Sequence, residues 1–202
     1  MCIRDSYKFA PILPLNGSHA IDVTALTPTL TFTESNIIPG SYSKTYLSAE
    51  ERKGFIANCV YRTADPVNIG SQKTLSVRYG TTSIDAATEQ YDMSEFCTDP
   101  DHAIIYAKYE LARRKFSTHN ISLSTPLLTT ALIPTDIIKV TRSRKSSTDD
   151  ADRTETNWYQ CSSISHTAEG ETKIEATHFP VNGSSISEIS NEVINGTFTV
   201  LQ

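Results

Sequence analysis

One stretch of this 202-residue chain fixes its own secondary structure. Residues 102–116 contain neither Gly nor Pro, and Thr98-Asp99-Pro100-Asp101 just before them supplies a helix start. An acidic or hydroxyl side chain can cap the first free N–H groups, Pro suits the first turn, and acids oppose the positive end of the helix dipole. Ile104, Ala107 and Leu111 form one apolar stripe; Ile105, Tyr109, Ala112 and Phe116 form its neighbour. Two adjacent stripes make a wide apolar face, which predicts a helix over 99–116 that is largely buried and bridges two β subdomains. Arg113, Arg114 and Lys115 occupy the last turn, where cations oppose the dipole's negative end.

Everything around that helix reads as short strands. Residues 19–23 and 29–33 alternate, the second with Leu30 and Phe32 on one face. Ser48-Ala-Glu-Glu51 has a capping-box pattern, but Gly54 follows so closely that only a helical turn is expected. Residues 54–62 and 73–79 are the next strands, the latter with Leu75, Val77 and Tyr79 alternating against polar neighbours. Residues 64–70 read as their hairpin connection. Beyond the helix, 120–124, 136–142, 158–165 and 171–178 are strand candidates, the last two joined through Gly170. Four such strands in close succession suggest a small barrel or sandwich. Residues 143–156 (SRKSSTDDADRTET) hold no apolar residue except Ala151 and read as an exposed loop.

Ser and Thr supply about a quarter of the chain, which fits strand and turn material. Charge is mildly acidic, 18 Lys and Arg against 23 Asp and Glu, so no basic footprint marks a nucleic-acid partner. No apolar run approaches the roughly 20 residues of a membrane span. Met1–Ser6 (MCIRDS) resembles translated adapter sequence and is expected to be a non-native leader, with Tyr7 onward an internal piece of a longer protein. The alternating run at 196–202 is likewise expected to be cut short. Cys2, Cys59, Cys97 and Cys161 are scattered, so buried free thiols are expected rather than a metal site or disulfides. Asn16, Asn120, Asn182 and Asn195 match glycosylation sequons, here chance matches in a Ser/Thr-rich chain.

No catalytic pattern stands out. G-x-S-x-G, H-E-x-x-H, phosphate-loop and EF-hand spacings are missing from the sequence. Asp149, Asp150, Asp152 and Glu155 form the densest acidic group, but Arg144, Lys145 and Arg153 lie among them, so solvation is their expected role. His19, His102, His119, His166 and His178 have no metal-ligand spacing. No catalytic, cofactor-binding or metal-binding residue is therefore assigned, and no cofactor is expected.

From residue 54 to about 179 an ordered series of features resembles the central region of phage tail-tip attachment proteins, the lambda J-like host-specificity family. The series begins with an Asn-containing strand ending in Tyr (Ile56 to Tyr61) and the turn Asp65-Pro66. The segment YDMSEFCT (91–98) then leads into a helix bearing His102, Ala103, Ala107, Leu111, Arg113 and Arg114. Ile121-Ser-Leu123 and Leu132-Ile-Pro-Thr-Asp136 complete it. In the family the last element usually reads Leu-x-Pro-Gly-Asp, whereas here Thr135 replaces the Gly. A turn that needs positive φ there would strain a β-branched residue, so either the turn type differs or the correspondence is inexact.

The resemblance implies a structural, non-enzymatic component of a phage tail tip, a hub or baseplate part that joins the tail tube to host-recognition modules. It implies a homotrimer, other tail proteins as partners, a host receptor reached through further domains, assembly in the bacterial cytoplasm and residence in the virion. With the residue patterns it gives an α+β, mostly β fold: two small barrel- or sandwich-like β subdomains with one main helix between them. The expected boundaries are a leader at 1–6, an N-terminal β subdomain at 7–97, the linking helix at 98–117, a barrel-like subdomain at 118–180 and the start of a following segment at 181–202. The competing reading is a carbohydrate- or receptor-binding β module of a tail protein. It needs exposed aromatics on a concave face, and Trp158-Tyr159 is the obvious pair, of which only one can point to a given face. A tail-associated hydrolase is disfavoured by the missing motifs.

Overall fold

A computed structural model describes residues 25–63, 70–95, 97–126, 128, 131–145, 152–167 and 170–201. Met1–Ser6, the strand candidate at 19–23 and nearly all of the 64–70 connection lie outside these residues. In chain order the strands are β1 (Leu30–Phe32), β2 (Ser43–Tyr46), β3 (Ile56–Arg62), β4 (Gln72–Tyr79), β5 (Thr88–Asp92), β6 (His119–Pro126), β7 (Ile137–Lys145), β8 (Asp152–His166), β9 (Glu171–His178) and β10 (Phe198–Leu201). The helices are α1 (Pro100–Phe116) and α2 (Glu188–Asn195), with one 3-10 turn at Glu34–Asn36. Strand takes 45% and helix 18% of the described residues, so the protein is α+β with strand dominant. The described residues form two units, 49–116 with 188–201 and 25–48 with 117–187.

The first unit is a four-stranded sheet in the order β10-β4-β3-β5, covered on one face by α1. Ala57 lies opposite Val77 and Cys59 opposite Leu75, so these four share a face, as directly opposed residues of an antiparallel pair must. Ala103, Ala107 and Leu111 of α1 pack onto that face. Two alanines one turn apart let the helix backbone approach the sheet closely. Tyr109 and Leu111 are both buried, as the two-stripe pattern predicts. Asp99 caps α1 by accepting the N–H of Asp101 at 2.9 Å. The basic last turn is fully engaged: Arg113 with Glu110, Arg114 with Glu89 and Lys115 with Glu192.

β10 pairs antiparallel with β4 and α2 packs on α1, completing the first unit. Ile189 and Val193 give α2 its buried apolar spacing, and a helix of eight residues holds through packing rather than propensity.

The second unit is a six-stranded sheet in the order β1-β7-β8-β9-β6-β2. β1 joins β7 in parallel and the other pairs are antiparallel. Phe32, Ile121, Leu123, Ile138, Val140, Tyr159, Cys161, Ile174 and Ala176 form one buried cluster drawn from five of the strands, so the sheet curls around its own side chains. A bulge between Cys161 and Ser163 shifts the register of β8, which returns Ile164 to the cluster face opposite Ile174. Residues 25–48 contribute β1 and β2 to this sheet, a partnership that local periodicity does not specify. Gly170 takes φ +81° where the β8–β9 hairpin turns.

The exposed-loop expectation for 143–156 is corrected. β7 runs on to Lys145 and β8 starts at Asp152, paired residue by residue from Thr141 opposite Thr156 to Lys145 opposite Asp152. This ribbon is held by backbone pairing and its sequence is polar throughout, so no apolar alternation announces it. Cys59, Cys97 and Cys161 are buried free thiols, as expected.

Candidate functional site

The inner face of the second unit changes character along its strands. On β8 the inward positions run Cys161, Tyr159, Asn157, Glu155, and on β7 they run Ile138, Val140, Arg142. The register places Ile138 opposite Tyr159, Val140 opposite Asn157 and Arg142 opposite Glu155. β2 adds Lys44 opposite Ile121 and Tyr46 opposite His119. One end of the curled sheet is therefore an apolar core and the other a polar mouth.

At that mouth lies a cleft of about 320 Å³, lined by Tyr42, Lys44, Tyr46, Arg142, Glu155 and Asn157 with Val140 and Tyr159 beneath. Lys44 Nζ donates to Glu155 Oε1 at 2.6 Å, and Asn157 Nδ2 donates to the same oxygen at 2.6 Å. The Lys44 hydrogen bond holds the Glu155 carboxyl below the usual carboxylate range, so it is anionic at neutral pH. Both bonds fall on Oε1 and leave Oε2 free of them. Arg142 lies over the Tyr42 ring at 4.1 Å. Its Nε is buried without a hydrogen-bond partner, the Glu34 carboxylate standing 3.8 Å away. Tyr46 is 62% exposed, with Lys44 Nζ 5.1 Å from its ring centroid.

Beneath the cleft, His119 and His178 stack at 4.5 Å between ring centroids. His119 Nε2 lies 3.0 Å from the Tyr159 hydroxyl and its Nδ1 2.8 Å from Thr118 Oγ1. Burial, then His178 and Lys44, push the His119 pKa down to about 4. The ring is neutral at physiological pH and serves as a hydrogen-bonding spacer between the core and the mouth.

Of the acidic group at 149–155, Glu155 reaches the cleft; Asp149 and Asp150 lie outside the described residues. His119 and His178 come together although 59 positions apart in sequence. His102 lies 3.9 Å from Asp99 and His166 pairs with Thr172, so the described histidines do not converge on one place. No group of three metal-ligating side chains occurs among the described residues. Tyr159 points inward and Trp158 to the other face, where Lys139 approaches its ring at 5.9 Å. Sequence reasoning missed Tyr42, Lys44, Tyr46 and Arg142. The signal was present as i, i+2, i+4 spacing of large polar residues, Tyr-x-Lys-x-Tyr running from Tyr42 into β2 and Glu-x-Asn-x-Tyr on β8, which a search for apolar alternation passes over. A second depression, of about 530 Å³ in the first unit, is bordered by Arg52, Lys53, Arg114 and Lys115, but Glu89 and Glu192 already engage the last two.

No protein-family model and no curated protein matches the sequence. Among solved structures, a chain in the virion of a native gene transfer agent particle matches with a TM-score of 0.53 at 13% identity, covering 84% of this chain and 36% of that one. The chain thus shares the fold of the matched part of that virion component. A tail protein from Neisseria meningitidis MC58 matches with TM-score 0.35 at 11% identity, covering 76% of this chain and 44% of its own. The 43 kDa tail protein of prophage MuSo2 from Shewanella oneidensis gives 0.34 at 10% identity, covering 82% and 47%. This chain spans between about a third and a half of the length of each.

Proposed function

We propose that the chain is a structural, non-enzymatic part of a phage tail, placed at the tail tip in a trimeric hub that joins the tube to host-recognition modules. The reading is carried by the fold likeness to the gene transfer agent virion chain over 84% of this chain. The turn at Thr135 supports the finer assignment to the lambda J-like family. Its φ of +89° is the geometry for which Gly stands in that family's Leu-x-Pro-Gly-Asp turn. Curled and helix-backed sheets suit a rigid scaffold, and other tail proteins are its partners.

Immunogold electron microscopy of intact particles with antibodies to this chain tests the placement. Label confined to the distal end of the tail is expected, and label on the capsid, or none, overturns it. Light scattering of the purified chain tests the trimer: three times the chain mass supports it, and a monomer at all concentrations removes it. Robust turnover of peptidoglycan or capsule, abolished by one Asp or Glu substitution, would sink the non-enzymatic reading.

A further inference from the structure

We infer that the polar mouth of the second unit is a binding site for a carboxylate-bearing sugar, such as a uronic acid residue of a polysaccharide. The inference rests on the cleft alone and goes beyond the scaffold role. The cleft volume of about 320 Å³ lies at the small end of the roughly 300–1,000 Å³ typical of small-ligand sites. Three planar polar groups line it, the Arg142 guanidinium, the Glu155 carboxylate and the Asn157 amide.

Each has spare capacity. The Arg142 guanidinium is held in place on Tyr42 and makes no hydrogen bond among the described residues; its Nε is buried and unpartnered. A planar carboxylate is the group that a guanidinium fork fits best. Glu155 Oε2 can accept a sugar hydroxyl, and the Asn157 amide can do so or donate. Tyr46, largely exposed at the rim, offers a ring whose negative face suits the polarised C–H face of a pyranose.

Charge favours the acidic sugar over a neutral one. Lys44 and Glu155 cancel at 2.6 Å, and Arg142 is the remaining cation of the lining; Glu34 faces only its Nε, at 3.8 Å. An apolar ligand is disfavoured because it would strand Lys44, Glu155 and Asn157 without solvent.

The test is titration of the full chain by isothermal calorimetry with three probes: trigalacturonate, a neutral galactose trisaccharide and acetate. Saturable binding of trigalacturonate is expected, with the neutral sugar at least about tenfold weaker and acetate without saturation, since charged hydrogen bonds carry the preference. Arg142→Gln should erase the preference for the acid. Tyr46→Ala, at a largely exposed position, should weaken both sugars about tenfold. Circular dichroism of each variant reports whether it is folded. Equal affinity for acidic and neutral sugars, acetate competing as well as trigalacturonate, or no binding by the folded wild-type chain would each overturn the inference. None of these results bears on where the chain sits in a virion, so failure here is separable from failure of the scaffold reading.

Discussion

Lys44 and Glu155 meet at 2.6 Å although β9 and β6 separate their strands, β8 and β2, in the sheet order. In a flat sheet, with neighbours about 4.8 Å apart, β2 and β8 would stand roughly 14 Å from each other. The contact exists because the sheet curls, and it holds the curl across the mouth. A double-mutant cycle with Lys44→Met and Glu155→Gln should give a coupling of about 1 kcal/mol, since the Lys44 side chain is only 15% exposed but Glu155 is 43% exposed. The Glu155 carboxyl is held below its unfolded value by the Lys44 hydrogen bond. Its contribution is therefore present above about pH 4.3 and lost as pH falls through the lowered pKa. Urea unfolding at pH 7 and pH 3 followed by Trp158 fluorescence, the single Trp, checks both; coupling that is unchanged at pH 3 would contradict it.

Thr135 is a β-branched residue at φ +89° in the turn that leads into β7. The turn is closed by the Asp136 N–H on the Ile133 carbonyl at 3.1 Å and by the Ile133 N–H on the Asp136 carboxylate at 3.0 Å. The Thr135 N–H itself donates to the Cys161 carbonyl at 2.8 Å, which fixes the strained backbone from outside. Such strain costs on the order of 1–3 kcal/mol, against roughly 0.5–1 kcal/mol of added chain entropy for Gly. Thr135→Gly should therefore raise the urea midpoint by the equivalent of about 1 kcal/mol, and Thr135→Asn by less. A lower midpoint for Thr135→Gly would mean that the Thr side chain contributes more than its backbone loses.

How much of this was legible depends on what each element is made of. α1 could be read to within a residue, because its cap, its Pro at the first turn and its two stripes all lie within its own sequence. β4 and β6 were legible because Leu75 and Val77, or Ile121 and Leu123, alternate against polar neighbours. β2 and the outer ribbon of β7 and β8 were hidden because their inward residues are Tyr, Lys, Arg, Glu and Asn rather than aliphatic. The candidate cleft is built from those very segments, so the rule that found the core also concealed the mouth. The assignment of β1, β2, α2 and β10 to units was out of reach for another reason. It rests on pairings such as Phe32 with Val140 and Phe198 with Tyr79, and periodicity names a face without naming its partner.

His119 should make the second unit less stable towards acid. His178 stacks on it, Tyr159 and Thr118 hydrogen-bond its two nitrogens, Tyr46 lies against its ring at 5.4 Å, and Lys44 and Glu155 act on it through space. With its pKa pushed from the usual 6.5 down to about 4, the folded ring stays neutral where the unfolded chain takes up a proton. The unfolded state then binds more protons across that window, so stability falls as pH drops from about 6.5 towards 4 and this contribution is fully lost below. His119→Gln, which keeps a donor and an acceptor, should flatten the dependence in that window. Urea midpoints of the two proteins at intervals from pH 7.5 to 3.5 check this; parallel curves would assign the slope elsewhere.

In the first unit, Arg114 forks onto Glu89 at 2.5 and 2.8 Å and lies 4.0 Å from the Phe55 ring centroid, tying the last turn of α1 to the edge strand β5. Glu89 also accepts the Tyr91 hydroxyl at 3.0 Å. Burial opposes ionisation of Glu89, but the Arg114 hydrogen bonds outweigh it and keep the carboxyl below its usual range. Lys cannot reproduce the two parallel bonds or the stacking, so Arg114→Lys should cost about 1 kcal/mol and Arg114→Ala about 1–2 kcal/mol, the groups being partly exposed. Because among the described residues β5 pairs in the sheet only with β3, the loss should appear first as local opening of that edge. Hydrogen exchange read by mass spectrometry should show faster exchange in peptides covering 88–92 in Arg114→Ala, with those covering 137–143 unchanged. Equal acceleration in both would mean that the ion pair supports the chain globally rather than this edge.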